Sequence, residues 1–274
     1  MNLLIAGHGY VGQELGRQAI AAGHQITALS KSGGEGSRAC DLSNCSDVVA
    51  LAREVKPDVI VHCASSGRGG ADAYRAVFLE GSRNLLSAFP DARLIFVSSS
   101  SVYGQVDGST VDETSATEPG RETSRILLEA EAEVLSARGT VARLAGIYGP
   151  GRSVVLKKFL AGEAVIEEDG RRILNQIHRD DAASALLHLA DRANAAGELF
   201  NVADSQPLSQ LETYQGLADL FDRPLPQTGP KPENRKRAWT HKSVSNAKLL
   251  ATGWTPRFPS FLNAAREIAP TLAP

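Results

Sequence analysis

The sequence predicts an α/β fold: a doubly wound parallel sheet with a small C-terminal substrate-binding region. Three observations carry this. Leu3-Leu4-Ile5-Ala6 is a short apolar run that leads straight into Gly7-x-Gly9-x-x-Gly12, and a helical pattern follows through Ala22. Runs of β-type residues then alternate with helical stretches through the first half of the chain, the spacing of a covered parallel sheet. The last third changes to loops, prolines and short elements.

The first unit reads strand, glycine turn, helix, the order a dinucleotide-binding βαβ unit requires. Gly7 permits the tight turn, Gly9 lets a pyrophosphate approach the backbone, and Gly12 lets the helix pack on the strand. Tyr10 and Val11 open the helix whose bare N–H groups and positive dipole end would face the phosphates. Gln25 to Leu29 reads as a second strand, followed by a glycine- and serine-rich turn over Ser32 to Ser37. A helix is expected around Ser46 to Glu54. Pro57 ends it, and Asp58 to Cys63 is a run typical of a buried parallel strand.

A helix over Asp72 to Phe89, a strand over Arg93 to Val97, a helix over Thr123 to Arg138 and a strand over Thr140 to Leu144 follow. Residues 148–175 read as loop-rich around Gly149-Pro150-Gly151. Asp180 to Asp191 is a helix and Glu198 to Val202 a strand. The expected division is a Rossmann-type domain over 1–147, with 176–203 returning to it, and a substrate-binding region over 148–175 and 204–274. Within the latter, Pro224 to Pro232 and the basic triplet Arg235, Lys236, Arg237 form either a cover over the carboxyl edge of the sheet or a solvated loop.

Bulk properties narrow the function. The chain has 274 residues, 42% of them hydrophobic, and a net charge of −2, which provides no field for gathering nucleic acid or an anionic membrane. No apolar run approaches the length of a membrane span, and Met1 to Ala6 is too short for a signal segment. Cys40, Cys45 and Cys63 have neither metal-ligand nor disulfide-scaffold spacing, so no metal is expected and a reducing cytoplasm fits.

Further motifs run in order along the chain. They are Asp41-Leu42, His62-Cys63-Ala64, the segment Phe96-Val97-Ser98-Ser99-Ser100-Ser101-Val102-Tyr103-Gly104, Arg143 through Tyr148-Gly149-Pro150-Gly151, Ile177-His178-Arg179-Asp180-Asp181, and Ser245 to Trp254. Together with the glycine turn, they resemble the extended short-chain dehydrogenase/reductase family, which includes nucleotide-sugar epimerases and dehydratases. The resemblance implies that Asp41 and Leu42 contact adenine, that His62, Cys63 and Ala64 line the cofactor, and that Ser99 is the catalytic hydroxyl. Ser99 either polarises a substrate carbonyl or satisfies backbone groups at a strand end.

One departure matters. The family opens the helix after the serine motif with a Tyr-x-x-x-Lys pair. Here Ser124 and Glu129 fit the family's spacing around that pair, which puts Arg121 on the tyrosine position and Arg125 on the lysine position. A guanidinium has no acceptor and stays protonated, so Arg121 cannot serve as a general base. Arg125 can still hydrogen-bond a ribose or phosphate. This combination resembles the atypical members of the superfamily. Tyr103 is then a candidate acid–base group, or a packing residue as the family usually has it.

Dinucleotide folds that prefer NAD place a carboxylate at the end of the second strand. This chain has Ser30 and Lys31 there, so NADP is expected over NAD. The expected partner is a small hydroxyl- or carbonyl-bearing metabolite such as a nucleotide sugar, with a homodimer through the helices near 72–89 and 123–138 as a further expectation. Two functions stay open: an epimerase-, dehydratase- or reductase-type enzyme with a remodelled site, and a non-catalytic cofactor-binding sensor or scaffold.

Overall fold

The computed structural model describes residues 1–67, 69–231 and 240–272. In chain order the first elements are β1 (Asn2–Ala6), α1 (Tyr10–Ala21), β2 (Gln25–Ser30), β3 (Arg38–Ala39), α2 (Cys45–Glu54), β4 (Val59–His62), α3 (Ala71–Tyr74), α4 (Gly81–Ala88) and β5 (Arg93–Ser99). Then come β6 (Thr110–Val111), α5 (Glu122–Ser136), β7 (Thr140–Leu144), β8 (Gly146–Tyr148), α6 (Val154–Leu160), β9 (Ile166–Glu167) and β10 (Ile173–Leu174). The chain continues with β11 (Gln176–His178), α7 (Arg179–Ala190), β12 (Leu199–Val202), β13 (Leu208–Ser209) and α8 (Gln210–Phe221). It closes with β14 (Thr228–Gly229), β15 (Ser243–Val244), α9 (Ala247–Leu250) and α10 (Phe261–Ile268).

Seven strands form one parallel sheet in the order β12-β7-β5-β4-β1-β2-β3. Leu3, Leu4, Ile5 and Ala6 of β1 and all four residues of β4 are buried, as strands covered on both faces must be. Asn2 pairs with Gln25 and Leu3 with Val59, so β1 lies between β2 and β4. The chain winds outward to one side from β1 through β3 and to the other from β4 through β12. Their junction, at the carboxyl ends of β1 and β4, is the switch point where ligands bind in doubly wound sheets.

Two compact units divide the chain. The first comprises Met1–Val102, Glu118–Arg143 and Ala183–Phe200. The second comprises Tyr103–Thr117, Leu144–Ala182 and Asn201–Pro274. The expected helix over Asp72 to Phe89 is not uniform: a π-helical stretch, Arg75–Glu80, separates α3 from α4. The stretch expected to be loop-rich, 148–175, contains α6, whose N-cap Ser153 accepts from the Leu156 N–H. The basic triplet Arg235–Arg237 lies outside the described residues.

The second unit has its own apolar core, built on Tyr148, Leu156, Phe159, Tyr214, Leu217 and Phe261. Two carboxylates are buried in the same unit. Asp181 accepts from the backbone N–H groups of Arg257 and Phe258 at 2.8 and 2.9 Å. Asp204 has an Oδ1 with no hydrogen-bond partner. Burial, and then the charge of Asp181, push the Asp204 carboxyl up to about 8, so it carries a proton at neutral pH.

A folded-state value raised above 3.8 means stability that is complete below pH 3.8 and lost as pH rises toward 8. Asp204→Asn removes that loss. Its unfolding free energy relative to wild type should rise by roughly 2 kcal/mol or more between pH 5 and pH 8. Denaturant melts of both proteins across that range check it.

Candidate active site

At the end of β1 the chain turns on Gly7, whose φ is +120°. A Cβ there would lie 2.3 Å from the Ala64 nitrogen, so only glycine fits between the ends of β1 and β4. At Gly12 a Cβ would meet the Gly7 carbonyl oxygen at 2.0 Å, so α1 packs directly on the turn. Gly9 is different. It is the N-cap of α1 at φ −95°, and a Cβ there meets nothing within 4 Å. The helix thus begins with no side-chain cap and no acidic residue in its first turn. Such an end offers N–H groups and positive potential to an anion. Tyr10 is half-buried and Val11 buried at the same helix end.

The amides of Gly7 and His8 donate to the Leu29 carbonyl at 3.0 and 2.7 Å, which joins the glycine turn to the end of β2. There Ser30 Oγ lies 2.9 Å from Ser37 Oγ, and exposed Lys31 pairs with Asp41 at 2.8 Å. Hydrogen bonding from Lys31, and then from Ser43, holds the Asp41 carboxyl below its usual range. Leu42 is buried, and its carbonyl accepts from Asn84 at 2.8 Å. Two expected cofactor contacts, Lys31 and Asp41, therefore meet, and Ser37 joins Ser30 unanticipated.

The segment after β4 divides its tasks. His62 is fully buried beside the rings of Phe78 and Phe96, and its Nε2–H donates to the Val77 carbonyl at 3.0 Å. Burial pulls its pKa down to about 4, so the ring is neutral. The imidazole is thus a packed, hydrogen-bonded group of the interior. The Cys63 thiol donates to the Gly7 carbonyl at 3.2 Å, and burial pushes it up to about 12. It remains a thiol and a packing group. Ala64 meets the turn through its backbone.

The serine motif is positioned by a buried ion pair. Glu131 of α5 accepts from Ser98 Oγ at 2.5 Å and from Arg143 of β7 at 2.5 to 3.1 Å. All three residues are at most 5% exposed. Two turns earlier on the same face, Ser124 Oγ lies 3.2 Å from Ser101 Oγ. Half-buried Ser99 accepts the Ser101 N–H through its hydroxyl at 3.2 Å. Arg121 is the exposed N-cap of α5 and Arg125 is exposed on its first turn. The first unit thus gathers Ser99, Ser101 and Ser124 where β5 and α5 meet. Glu131 escaped the sequence reading because its helix carries four glutamates and nothing in their spacing marks the buried one.

Tyr103 does not fit an acid–base role. It is fully buried in the second unit, its hydroxyl 2.9 Å from both the Asp112 carbonyl and Asn201 Oδ1. His178 is also buried, its Nδ1 accepting from the Asp180 N–H at 3.2 Å. Among the described residues no group of three or more His, Cys, Asp or Glu could hold a metal ion, and no helix is long and apolar enough to cross a membrane.

Residues 3–203 match the family model for the NAD dependent epimerase/dehydratase family. The chain belongs to that family. Among curated proteins, "Protein YeeZ" of Escherichia coli K12 is 30% identical over 81% of this chain and 85% of its own length. A dTDP-4-dehydrorhamnose reductase of Mycolicibacterium smegmatis is 31% identical over 90% of this chain and 79% of its own. Among solved structures, a putative NAD-dependent epimerase/dehydratase from Methylobacillus flagellatus is 28% identical, with TM-score 0.78 and 97% of both chains covered. A human epimerase family protein solved with NADPH shares the fold at 23% identity and TM-score 0.81, covering 99% of this chain and all of that one.

Removing Glu131 would take its carboxylate away from the buried Arg143 guanidinium. Glu131→Ala should lower the unfolding free energy by about 3–5 kcal/mol, whereas Glu131→Leu combined with Arg143→Met should recover most of it. Chemical denaturation of the three variants checks both statements.

Proposed function

We propose that this chain binds NADP in preference to NAD and acts as a reductase- or epimerase-type enzyme on a hydroxyl- or carbonyl-bearing metabolite, a nucleotide sugar being the favoured class. The observation that carries the binding is the glycine cradle. Gly9 leaves open space before an uncapped helix end, and side chains at Gly7 or Gly12 would destroy the turn. The residues therefore fit a dinucleotide pyrophosphate. The preference for NADP rests on Ser30, Lys31 and Ser37, which leave the end of β2 without the carboxylate that favours a ribose 2′-hydroxyl. Lys31 would exchange Asp41 for the 2′-phosphate.

When bound, the cofactor supplies or accepts hydride. The chain's own part is to orient and polarise. Ser99 would donate its hydroxyl proton to a substrate oxygen, with Ser101 fixing that hydroxyl through its N–H. Arg121 and Arg125 would grip phosphate or ribose oxygens as permanently charged donors. The substrate class is supported by the kinship with a dTDP-4-dehydrorhamnose reductase and by these two guanidiniums.

One observation favours a second reading, a cofactor-binding sensor without turnover. The phenol and imidazoles nearest the motifs, Tyr103, His62 and His178, are all buried and hydrogen-bonded internally. Titration with NADPH and NADH, followed by a turnover screen against dTDP- and UDP-sugars, separates the readings. NADPH should bind about tenfold or more tighter, and Lys31→Glu should erase that margin. Equal or tighter NADH binding would overturn the preference, and binding without hydride exchange would establish the sensor.

A further inference from the structure

The second unit contains a lysine that the proposed chemistry does not use. Lys242 is 3% exposed, and its ammonium donates to the Tyr103 carbonyl at 2.7 Å. Among the described residues no carboxylate pairs with it. An ammonium has three protons to place, so one neutral acceptor in the interior leaves much of its lost hydration unreplaced.

Its surroundings form a zipper. The His241 N–H donates to the Gln105 carbonyl at 3.1 Å, Gly108 N–H to the His241 carbonyl at 2.8 Å, Ser243 N–H to Ser109 at 2.9 Å and Ser245 N–H to Val111 at 2.8 Å. Within it β15 pairs in parallel with β6, Ser243 opposite Thr110. Asn175 closes the far side, donating to the Lys242 carbonyl and accepting from the Val244 N–H. The segment 103–111, which leaves the serine motif, is thus held along its length by 240–245. Within 240–245, the Lys242 side chain reaches back to Tyr103.

We propose that Lys242 is the latch of this zipper: its buried ammonium sets how readily 103–111 separates from 240–245 and makes that separation proton-dependent. The proposal is independent of the cofactor and of any substrate. Opening releases the ammonium to water, whereas closing strips its hydration.

The sign follows from linkage. Burial, and then the charge of Arg172, lower the Lys242 pKa to about 8, against 10.5 for a solvated lysine. The closed form therefore binds fewer protons than the open form between those values, so raising pH favours closure. The other charged groups around the zipper have partners of their own. Glu167 lies 3.7 Å from Arg172, Glu113 accepts the Asn201 N–H, Asp107 accepts from Ser109, and Asp112 accepts from Thr114 and Ser115. The His241 Nδ1 accepts the Ile173 N–H at 3.3 Å.

Amide hydrogen exchange read by mass spectrometry, corrected for intrinsic rates, tests this on the full chain. In wild type, protection of peptides covering 104–111 should rise about tenfold from pH 7 to pH 9, while β1 stays flat. Lys242→Met, which has no charge to desolvate, and Lys242→Arg, which keeps its charge throughout, should both lose the slope. Arginine should also preserve a protected segment at pH 7 by donating to Tyr103. A flat wild-type profile, or a slope that survives in Lys242→Met, would overturn the latch.

Discussion

The rest of the first unit depends on how closely α1 approaches the turn it follows. At Gly12 there is room for a hydrogen and nothing more, because the next atom outward would sit 2.0 Å from the Gly7 oxygen. The same oxygen accepts the Cys63 thiol, so the ends of β1 and β4 and the start of α1 converge on a single carbonyl. Sheet order makes this convergence useful. With β1 and β4 adjacent and the winding reversing between them, the uncapped start of α1 faces the crevice at the switch point. Tight packing at Gly7 and Gly12 and open space at Gly9 are two sides of one arrangement.

A second buried constraint governs where the chemistry would occur. Glu131 joins β5 through Ser98 and β7 through Arg143, and so fixes the rotation of α5 about its axis. Ser124, seven residues earlier on the same face, is thereby turned toward Ser101. Buried ion pairs contribute little net stability relative to apolar packing, but breaking one is costly. Its effect here is to fix the helix register, which leaves Arg121 and Arg125 exposed at the start of α5 and the Ser124 hydroxyl inside. Under the proposed function, such an arrangement would bind and polarise without a titrating phenol.

Much of this was legible in the residues. The apolar run before Gly7 and the β-branched run from Asp58 became buried neighbouring strands, because residues covered on both faces have to be apolar. Other features had no local sign. The π-helical stretch at Arg75–Glu80 lets the Val77 carbonyl meet the His62 ring, a long-range contact that no helical periodicity encodes. Gly149-Pro150-Gly151 drew attention from the helix behind it, although Ser153 is an ordinary N-cap. Likewise α8 carries a readable capping box, Ser209 with Glu212, inside the expected substrate-binding region. For Tyr103 the acid–base and packing alternatives stayed open, because a motif shows which residues are present and not which are buried. Lys242 and Glu131 were invisible for the same reason: burial of a charge is a property of the fold.

The central claim is that the glycine turn holds a dinucleotide pyrophosphate in the space that Gly9 leaves open. Gly9→Val tests it directly, because its backbone conformation suits any residue and its Cβ meets no protein atom within 4 Å. Calorimetric titration with NADPH, beside a thermal melt, is the measurement. The variant should unfold at the wild-type temperature and bind NADPH about a hundredfold more weakly or not at all. Wild-type affinity in a normally folded Gly9→Val protein would contradict the account.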